Sequence, residues 1–351
     1  VTFSSVHHTG VGRSLGSVDA REPDISVVLC TRNRCERLQT TLSRFEEVEF
    51  DRPWELIVVD NGSSDDTKAV LAEVARHGRL PLRAVSENSP GISRAKNRGL
   101  AHARGRIVFF TDDDCYPARD ILAAWMEIFA DPTIGYAGGR IELFDPRDLQ
   151  LTVKTDREPA SFPPRRLIAP GVMHGASMAF RRPVIDAVGW FDEDLGAGTK
   201  LRSGEDSDYL QRASGCGFRG VYSPLPLTWH HHGRTAADIP AMEEVYGIGA
   251  GAFYAALLLR CPGTAWNSLA AWLPGGPARL WRGFIRDVRA AGGPVQAVKA
   301  FYWRTRNFWR RRGRYTTRGF VSFIATKAAR GSLKPAHAAA SSPAASVSIS
   351  P

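Results

Sequence analysis

The sequence predicts an α/β fold with a mostly parallel central sheet flanked by helices. Short uninterrupted apolar runs rich in β-branched residues occur at 25–30 (ISVVLC), 54–59 (WELIVV) and 106–110 (RIVFF). Runs without alternation are buried on both faces, as in parallel sheets. Helical patterns at 36–45, 66–76 and 93–103 separate them, and strand–helix alternation of this kind implies a doubly wound sheet. A ligand of such a sheet sits beyond the carboxyl ends of the strands. Those ends are polar here: Thr31-Arg32-Asn33-Arg34, then Asp60 to Asp66, then Thr111-Asp112-Asp113-Asp114.

The remaining elements are less regular. Residues 138–144 read as another strand, 149–170 as a mobile loop, 175–180 (GASMAF) as an inner strand and 183–188 as a short helix. The turn after the first strand lacks the GxGxxG that lets a dinucleotide pyrophosphate approach the backbone, which disfavours a Rossmann dehydrogenase. Gly247, Gly249 and Gly251 lie far downstream in an Ala-rich helical stretch, where they suit close packing instead.

The 351 residues carry a formal net charge of +10, unevenly spread. Residues 260–334 hold sixteen Lys and Arg against one acid, Asp287, or +15, and 335–351 hold no charge, which leaves −5 for residues 1–259. Five of the nine tryptophans also fall in 260–334. Basic residues interleaved with Trp suit an anionic membrane surface. The same composition could meet nucleic acid, or form a solvated helix face over a small core. The expected organisation is a flexible leader over 1–22, a catalytic domain over 23–259, a basic, Trp-rich, mainly helical extension over 260–334 and a disordered tail over 335–351. The longest uncharged apolar stretch, 245–259, falls short of the about 20 residues of a membrane span. Five scattered cysteines give neither a disulfide framework nor metal spacing, so a cytoplasmic setting is expected, peripheral on the cytoplasmic face of the membrane if 260–334 binds it.

Three clusters carry chemistry. Carboxylates crowded at a strand end, as in Asp112-Asp113-Asp114, repel one another unless a cation joins them, which suits a hard divalent metal such as Mg²⁺ or Mn²⁺ and a diphosphate partner. The alternative is a solvated acidic turn with Asp112 capping a helix. In Gly204-Glu205-Asp206-Ser207-Asp208-Tyr209-Leu210, a helix starting here puts Asp206, Tyr209 and Leu210 on one face. Asp206 is then either a dipole-stabilised anion or a general base. In Trp229-His230-His231-His232, an extended backbone turns His230 and His232 to one side and His231 to the other, as metal ligands or as a hydrogen-bonded network.

The ordered series of TRN after the first strand, VVDNGSSDDT, GISRAKNRGLAHARG, FFTDDDCYP, GWFDEDLG, GEDSDYLQRASGCGFRGVYSP and WHHH resembles the family-2 glycosyltransferases of the GT-A fold, over about 25–259. The resemblance implies a metal-dependent, inverting sugar transfer from a nucleotide-diphosphate donor to an acceptor hydroxyl. It implies that Asp60 contacts the nucleobase or ribose, with Thr31 and Asn33 in the same pocket and Arg94, Lys96 and Asn97 in polar contact with the donor. Asp112 and Asp114 match the outer residues of the family's DxD motif, Asp114 on the metal and Asp112 on metal or donor. Asp113 takes the variable middle position beside the donor, and Gly175 and Ala176 border the transferred sugar. Asp206 matches the general base, with Glu205 as substitute. His230, ahead of His232, would complete the metal site, and Trp190, Asp192 and Trp229 would border the acceptor. The expected partners are a nucleotide sugar, a saccharide or lipid-linked acceptor and an anionic membrane surface through 260–334, with no nucleic acid.

Two other classes are weighed against this. A sugar-nucleotide pyrophosphorylase would need a Gly-rich basic loop after the first strand, and TRNRCER has no glycine. A non-catalytic nucleotide-sugar-binding or membrane-docking module would not need a base, a metal cluster and an acceptor segment together.

Overall fold

The computed structural model describes residues 22–262 and 313–330. Residues 1–21, the expected tail over 335–351 and positions 263–312 of the basic extension lie outside the described residues. The first half alternates as the hydrophobic runs require: β1 (Ile25–Thr31), α1 (Cys35–Glu46), β2 (Trp54–Asp60), α2 (Thr67–His77), β3 (Leu82–Ser86), α3 (Ile92–His102) and β4 (Ile107–Asp112). The strands lie side by side in the order β3-β2-β1-β4, all parallel. Every residue of β1 is buried, because successive side chains point to opposite faces and both faces are covered. Val27, Leu29, Leu56, Val58 and Phe109 meet Leu38 and Leu42 of α1 on one face. Val28, Ile57, Val59 and Val108 meet Ala95 and Leu100 of α3 on the other.

The second half adds β5 (Cys115–Pro117), α4 (Ile121–Ile128), β6 (Ile134–Leu143), β7 (Ala160–Phe162), β8 (Met178–Arg181), α5 (Arg182–Val188), α6 (Glu205–Gly215), β9 (Arg219–His230), α7 (Ile239–Arg260) and a helix α8 over 313–329. The sheet continues from β4 through β8, β6 and β9 to β5, with β7 also on β9. β8 runs antiparallel to both neighbours, β5 and β7 run antiparallel to β9, and only β6 and β9 are parallel. The nine-stranded sheet is therefore mixed rather than mostly parallel. β8 is reached from β6 through β7 and a 3₁₀ turn, without the crossover helix that a parallel neighbour needs. The segment expected as one strand over 175–180 is split: Gly175–Ser177 form a 3₁₀ turn and the strand begins at Met178.

α8 lies against α7 at backbone contact distance, which only glycine permits. A Cβ on Gly251 would stand 1.9 Å from the Thr316 carbonyl oxygen, and one on Gly319 would stand 1.9 Å from that of Ile248. The expectation that the downstream glycines serve packing holds. Phe323 is fully buried between the helices, with Arg260 and Lys327 over its ring at 5.6 and 5.4 Å. Lys327 Nζ reaches Asp192 and Asp194 at 2.7 Å each, Arg330 reaches Asp194 at 2.9 Å, and Arg260 joins Asp192 to Asp208, the latter at 2.6 Å. No helix among the described residues is long and apolar enough to cross a membrane.

Burial alone would raise the Asp192 carboxyl, but Arg260 and Lys327 outweigh it and hold it down to about 2. A depressed carboxyl contributes stability that is present above its unfolded value near 4 and lost as pH falls through about 2. Lys327→Met should therefore destabilise the fold by about 2–3 kcal/mol at neutral pH, less than a wholly unpaired buried charge would, because Arg260 and Arg330 remain. It should also flatten the loss of stability between pH 4 and 2. Urea unfolding across that range checks both, and a change below about 0.5 kcal/mol would contradict the ion-pair account.

Candidate active site

The parallel strands deliver their last residues to one edge. Thr31 stands in register with Asp60, and Cys30 with Asp112. From the other half of the sheet, β9 brings His230 opposite Cys115 of β5. α6 starts at Gly204, whose φ of 98° is left-handed and where a Cβ would come 2.9 Å from the Gly249 carbonyl oxygen of α7. That start points Glu205 and Asp206 at the same space. Together these ends line a cleft of about 1000 Å³, with Gly175 and Ala176 on one wall and α7 on another.

The acidic turn is held by cations of the chain itself. Arg34 Nη1 donates to Asp113 Oδ1 at 3.0 Å and to Asp114 Oδ2 at 2.8 Å, and the Thr31 hydroxyl donates to Asp113 Oδ2 at 2.7 Å. His230 Nε2 stands 3.3 Å from Asp114 Oδ1. Burial pushes the Asp113 carboxyl up to about 6 against the pull of Arg34. Burial would do the same to Asp114, but His230, Arg34 and Arg37 hold it well below the usual carboxylate range. For His230 the balance runs the other way: burial disfavours its cation, and Asp114 more than restores it, so its pKa is raised. Burial also raises Asp112, despite Lys96 nearby.

Asp114, Cys115 and His230 offer ligand atoms within 4.8 Å of one another, and Asp112 lines the same cleft. Carboxylate oxygens and an imidazole suit Mn²⁺ or Mg²⁺. The Cys115 thiol fits poorly, because burial keeps it protonated far above its ordinary range. Arg34 is a residue of the site that the three sequence clusters do not include. The signal was available, since three adjacent carboxylates require counter-charge and Arg34 follows a neighbouring strand.

At the other side of the cleft, Asp206 Oδ2 accepts the Gly175 N–H at 3.0 Å and Oδ1 accepts the Ser207 N–H at 2.6 Å. Glu205 is held differently, by a 3.0 Å ion pair to buried Lys96. Burial opposes the Lys96 cation, yet Glu205, Asp112 and Asp206 raise its pKa. Burial raises Glu205 in turn, with Lys96 opposing. Asp206 is thus the carboxylate without an ion-pair partner among the described residues. Asp60 accepts the Ser63 N–H at 2.8 Å through Oδ1, while its buried Oδ2 has no partner among the described residues, a configuration that suits a ligand donor.

Several expected contacts lie elsewhere. Asn33 binds the Ser64 N–H at 2.7 Å and so ties the first strand's loop to the second's. Asn97 holds the Phe191 backbone through both ends of its amide, at 2.7 and 3.0 Å, and Arg94 pairs with Glu193 at 2.8 Å. Of the three polar residues expected on the donor, only Lys96 lines the cleft. Trp190 is 59% exposed and Trp229 pairs with Tyr116 across β5 and β9, so neither lines it. Asp192 is engaged by the cations near α8 rather than facing an acceptor. Both ring nitrogens of His232 have backbone partners, Nε2 with the Leu149 carbonyl and Nδ1 with the Arg234 N–H, each at 3.0 Å, which leaves no ligand atom for a metal. Burial lowers its pKa, which keeps it neutral.

Residues 26–189 match the model of glycosyl transferase family 2. Glycosyltransferase AglE of Haloferax volcanii is 22% identical over 253 residues, which cover 72% of this chain and 80% of that protein. The pre-mycofactocin glycosyltransferase of Mycobacterium tuberculosis is 28% identical over 239 residues, covering 64% of this chain but only 46% of that protein. The chain thus spans most of one relative and under half of the other. Among solved structures, the mannosyltransferase PcManGT of Pyrobaculum calidifontis, in complex with GDP-Man and Mn²⁺, aligns with a TM-score of 0.55 at 24% identity over 88% of this chain and 87% of that one, which shows the same GT-A fold. Over residues 26–189 the chain is thus similar to the family 2 glycosyltransferases.

Proposed function

We propose that the protein transfers a sugar, with inversion, from a nucleotide-diphosphate donor to an acceptor hydroxyl, with Asp206 as general base. The observation that carries this reading is the meeting of Asp206, Asp112, Asp114 and His230 on one cleft from three separate parts of the fold, α6, the acidic turn that ends β4, and β9. Asp60 Oδ2, buried just behind Thr31 and Asn61 of the cleft wall, is the acceptor for the nucleobase or ribose in this reading. Lys96 is fixed by Glu205 beside Asp112 and presents positive charge to the donor's diphosphate. Asp112, Asp114 and His230 would hold a divalent cation, Mn²⁺ or Mg²⁺, which neutralises charge on the departing diphosphate when bound.

Asp206 takes the proton of the acceptor hydroxyl as its oxygen attacks the anomeric carbon from the face opposite the nucleotide. The Gly175 and Ser207 N–H groups fix its carboxylate in orientation, and no ion pair among the described residues engages it. Glu205, engaged by Lys96, is the weaker candidate. The acceptor belongs to glycan, polysaccharide or glycolipid assembly, and the basic, Trp-bearing stretch over 260–334 brings the cleft to an anionic membrane surface on the cytoplasmic side.

Asp206→Asn should lower transfer by about 10²–10⁴ while leaving donor binding intact. Nucleoside diphosphate release from a panel of sugar nucleotides, read beside donor titrations, checks this, and near-normal turnover would remove Asp206 from the base role. Asp114→Ala should abolish the part of donor affinity that depends on Mn²⁺. Titrations with and without the metal that gave equal affinities in variant and parent would remove the ligand role.

A further inference from the structure

We propose that Arg234 is the phosphate anchor of the acceptor site, and that the acceptor is a lipid phosphate with an anionic head and an apolar chain. This deepens the transferase reading and rests on it. Arg34 and Lys96, cations on the donor side of the cleft, are engaged by Asp113, Asp114 and Glu205. Arg234 lines the α7 side and has no carboxylate within ion-pair distance among the described residues; its guanidinium donates only to Tyr246 Oη, at 3.2 Å. Its charge also reaches the Asp238 carboxylate from beyond ion-pair distance, and its remaining N–H donors suit a phosphate.

The residue is also fixed in place. Its N–H donates to His232 Nδ1 at 3.0 Å, and its carbonyl accepts the Leu149 N–H at 3.1 Å. His232, which holds no metal-ligand atom free, therefore has a different use: it pins the root of Arg234 at the mouth of the cleft. Preorganisation of this kind lowers the entropic cost of binding.

The surface beside Arg234 is apolar. Ile239 and Tyr246 are 41% and 40% exposed, and the exposed Tyr254 and Leu258 continue this surface along α7 as a stripe that winds about 120° round the helix from Tyr246. From Tyr246 to Leu258 this stripe runs about 18 Å from the cleft. A free sugar phosphate would leave it unused, whereas a prenyl-type chain would cover it. A phosphate at Arg234 with its chain along this stripe leaves the head-group sugar on the cleft side, towards Asp206.

Calorimetric titration of the full chain with farnesyl phosphate, farnesol and inorganic phosphate tests this. Farnesyl phosphate should bind at least about tenfold more tightly than either control, and Arg234→Gln should cost about tenfold for farnesyl phosphate and nothing for farnesol. Leu258→Ser should weaken farnesyl phosphate several-fold and leave inorganic phosphate unchanged. Equal affinity of Arg234→Gln and parent for farnesyl phosphate would overturn the proposal, as would equal binding of inorganic phosphate and farnesyl phosphate, which would mark a site for soluble phosphates. Nucleoside diphosphate with Mn²⁺, titrated in parallel, should bind parent and Arg234→Gln alike. Its failure to bind the parent would overturn the transferase reading while leaving the lipid-phosphate site standing; the converse pattern would overturn only the lipid-phosphate site.

Discussion

Three consecutive aspartates at the end of a strand buried on both faces repel one another strongly, and much of the arrangement around the cleft answers that repulsion. Arg34 reaches across from the end of β1 to bind Asp113 and Asp114, and His230 arrives from the far half of the sheet to meet the other oxygen of Asp114. Lys96 comes from α3 and balances Asp112 together with Glu205. Each counter-charge comes from a different element, so the cleft exists only once the parallel and the mixed halves of the sheet have joined. The same compensation explains why Asp113 and Asp114, adjacent and equally buried, titrate in opposite directions: Asp114 has both His230 and Arg34, whereas Asp113 has Arg34 and a neutral hydroxyl.

Charge compensation operates a second time behind the cleft. Asp194 and Asp208 are buried and Asp192 half-buried around the end of α7, and Arg260, Lys327 and Arg330 neutralise them. Asp208 lies two residues beyond Asp206, so this network also fixes the first turn of α6, on which the proposed base sits. The excess of positive charge in the C-terminal part is therefore in part internal counter-charge for the acidic body. That is a more specific use than a uniformly solvated basic face.

The parallel half of the fold was legible because β1, β2 and β4 are short apolar runs without alternation and the helices between them keep their period. β3 was not, since in LRAVS only Val85 is buried, as befits an edge strand. β9 was hidden by Pro224 and Pro226, which mark turns in most contexts and here sit where the register with β6 shifts between Gly138 and Arg140. Within the site, Asp112, Asp114, Asp206 and His230 were legible because each sits at a strand end or helix start where chemistry gathers. Asn97, Asp192 and His232 were misplaced for one reason: their partners, the Phe191 backbone, Lys327 and the Leu149 carbonyl, are distant in sequence. Polar side chains in a promising motif can serve the scaffold as readily as the ligand, and only tertiary structure separates the two.

In the proposed mechanism the acidic turn and His230 form one cation site facing the donor's diphosphate, with Asp206 across the cleft from it. Anomalous diffraction at the manganese edge, from crystals grown with Mn²⁺ and a nucleoside diphosphate, tests it most directly. The account predicts a single strong peak bound by Asp114 and His230, in contact with diphosphate oxygens and not with Asp206. A peak on Glu205 and Asp206, or a nucleotide bound with its diphosphate away from the acidic turn, would contradict it.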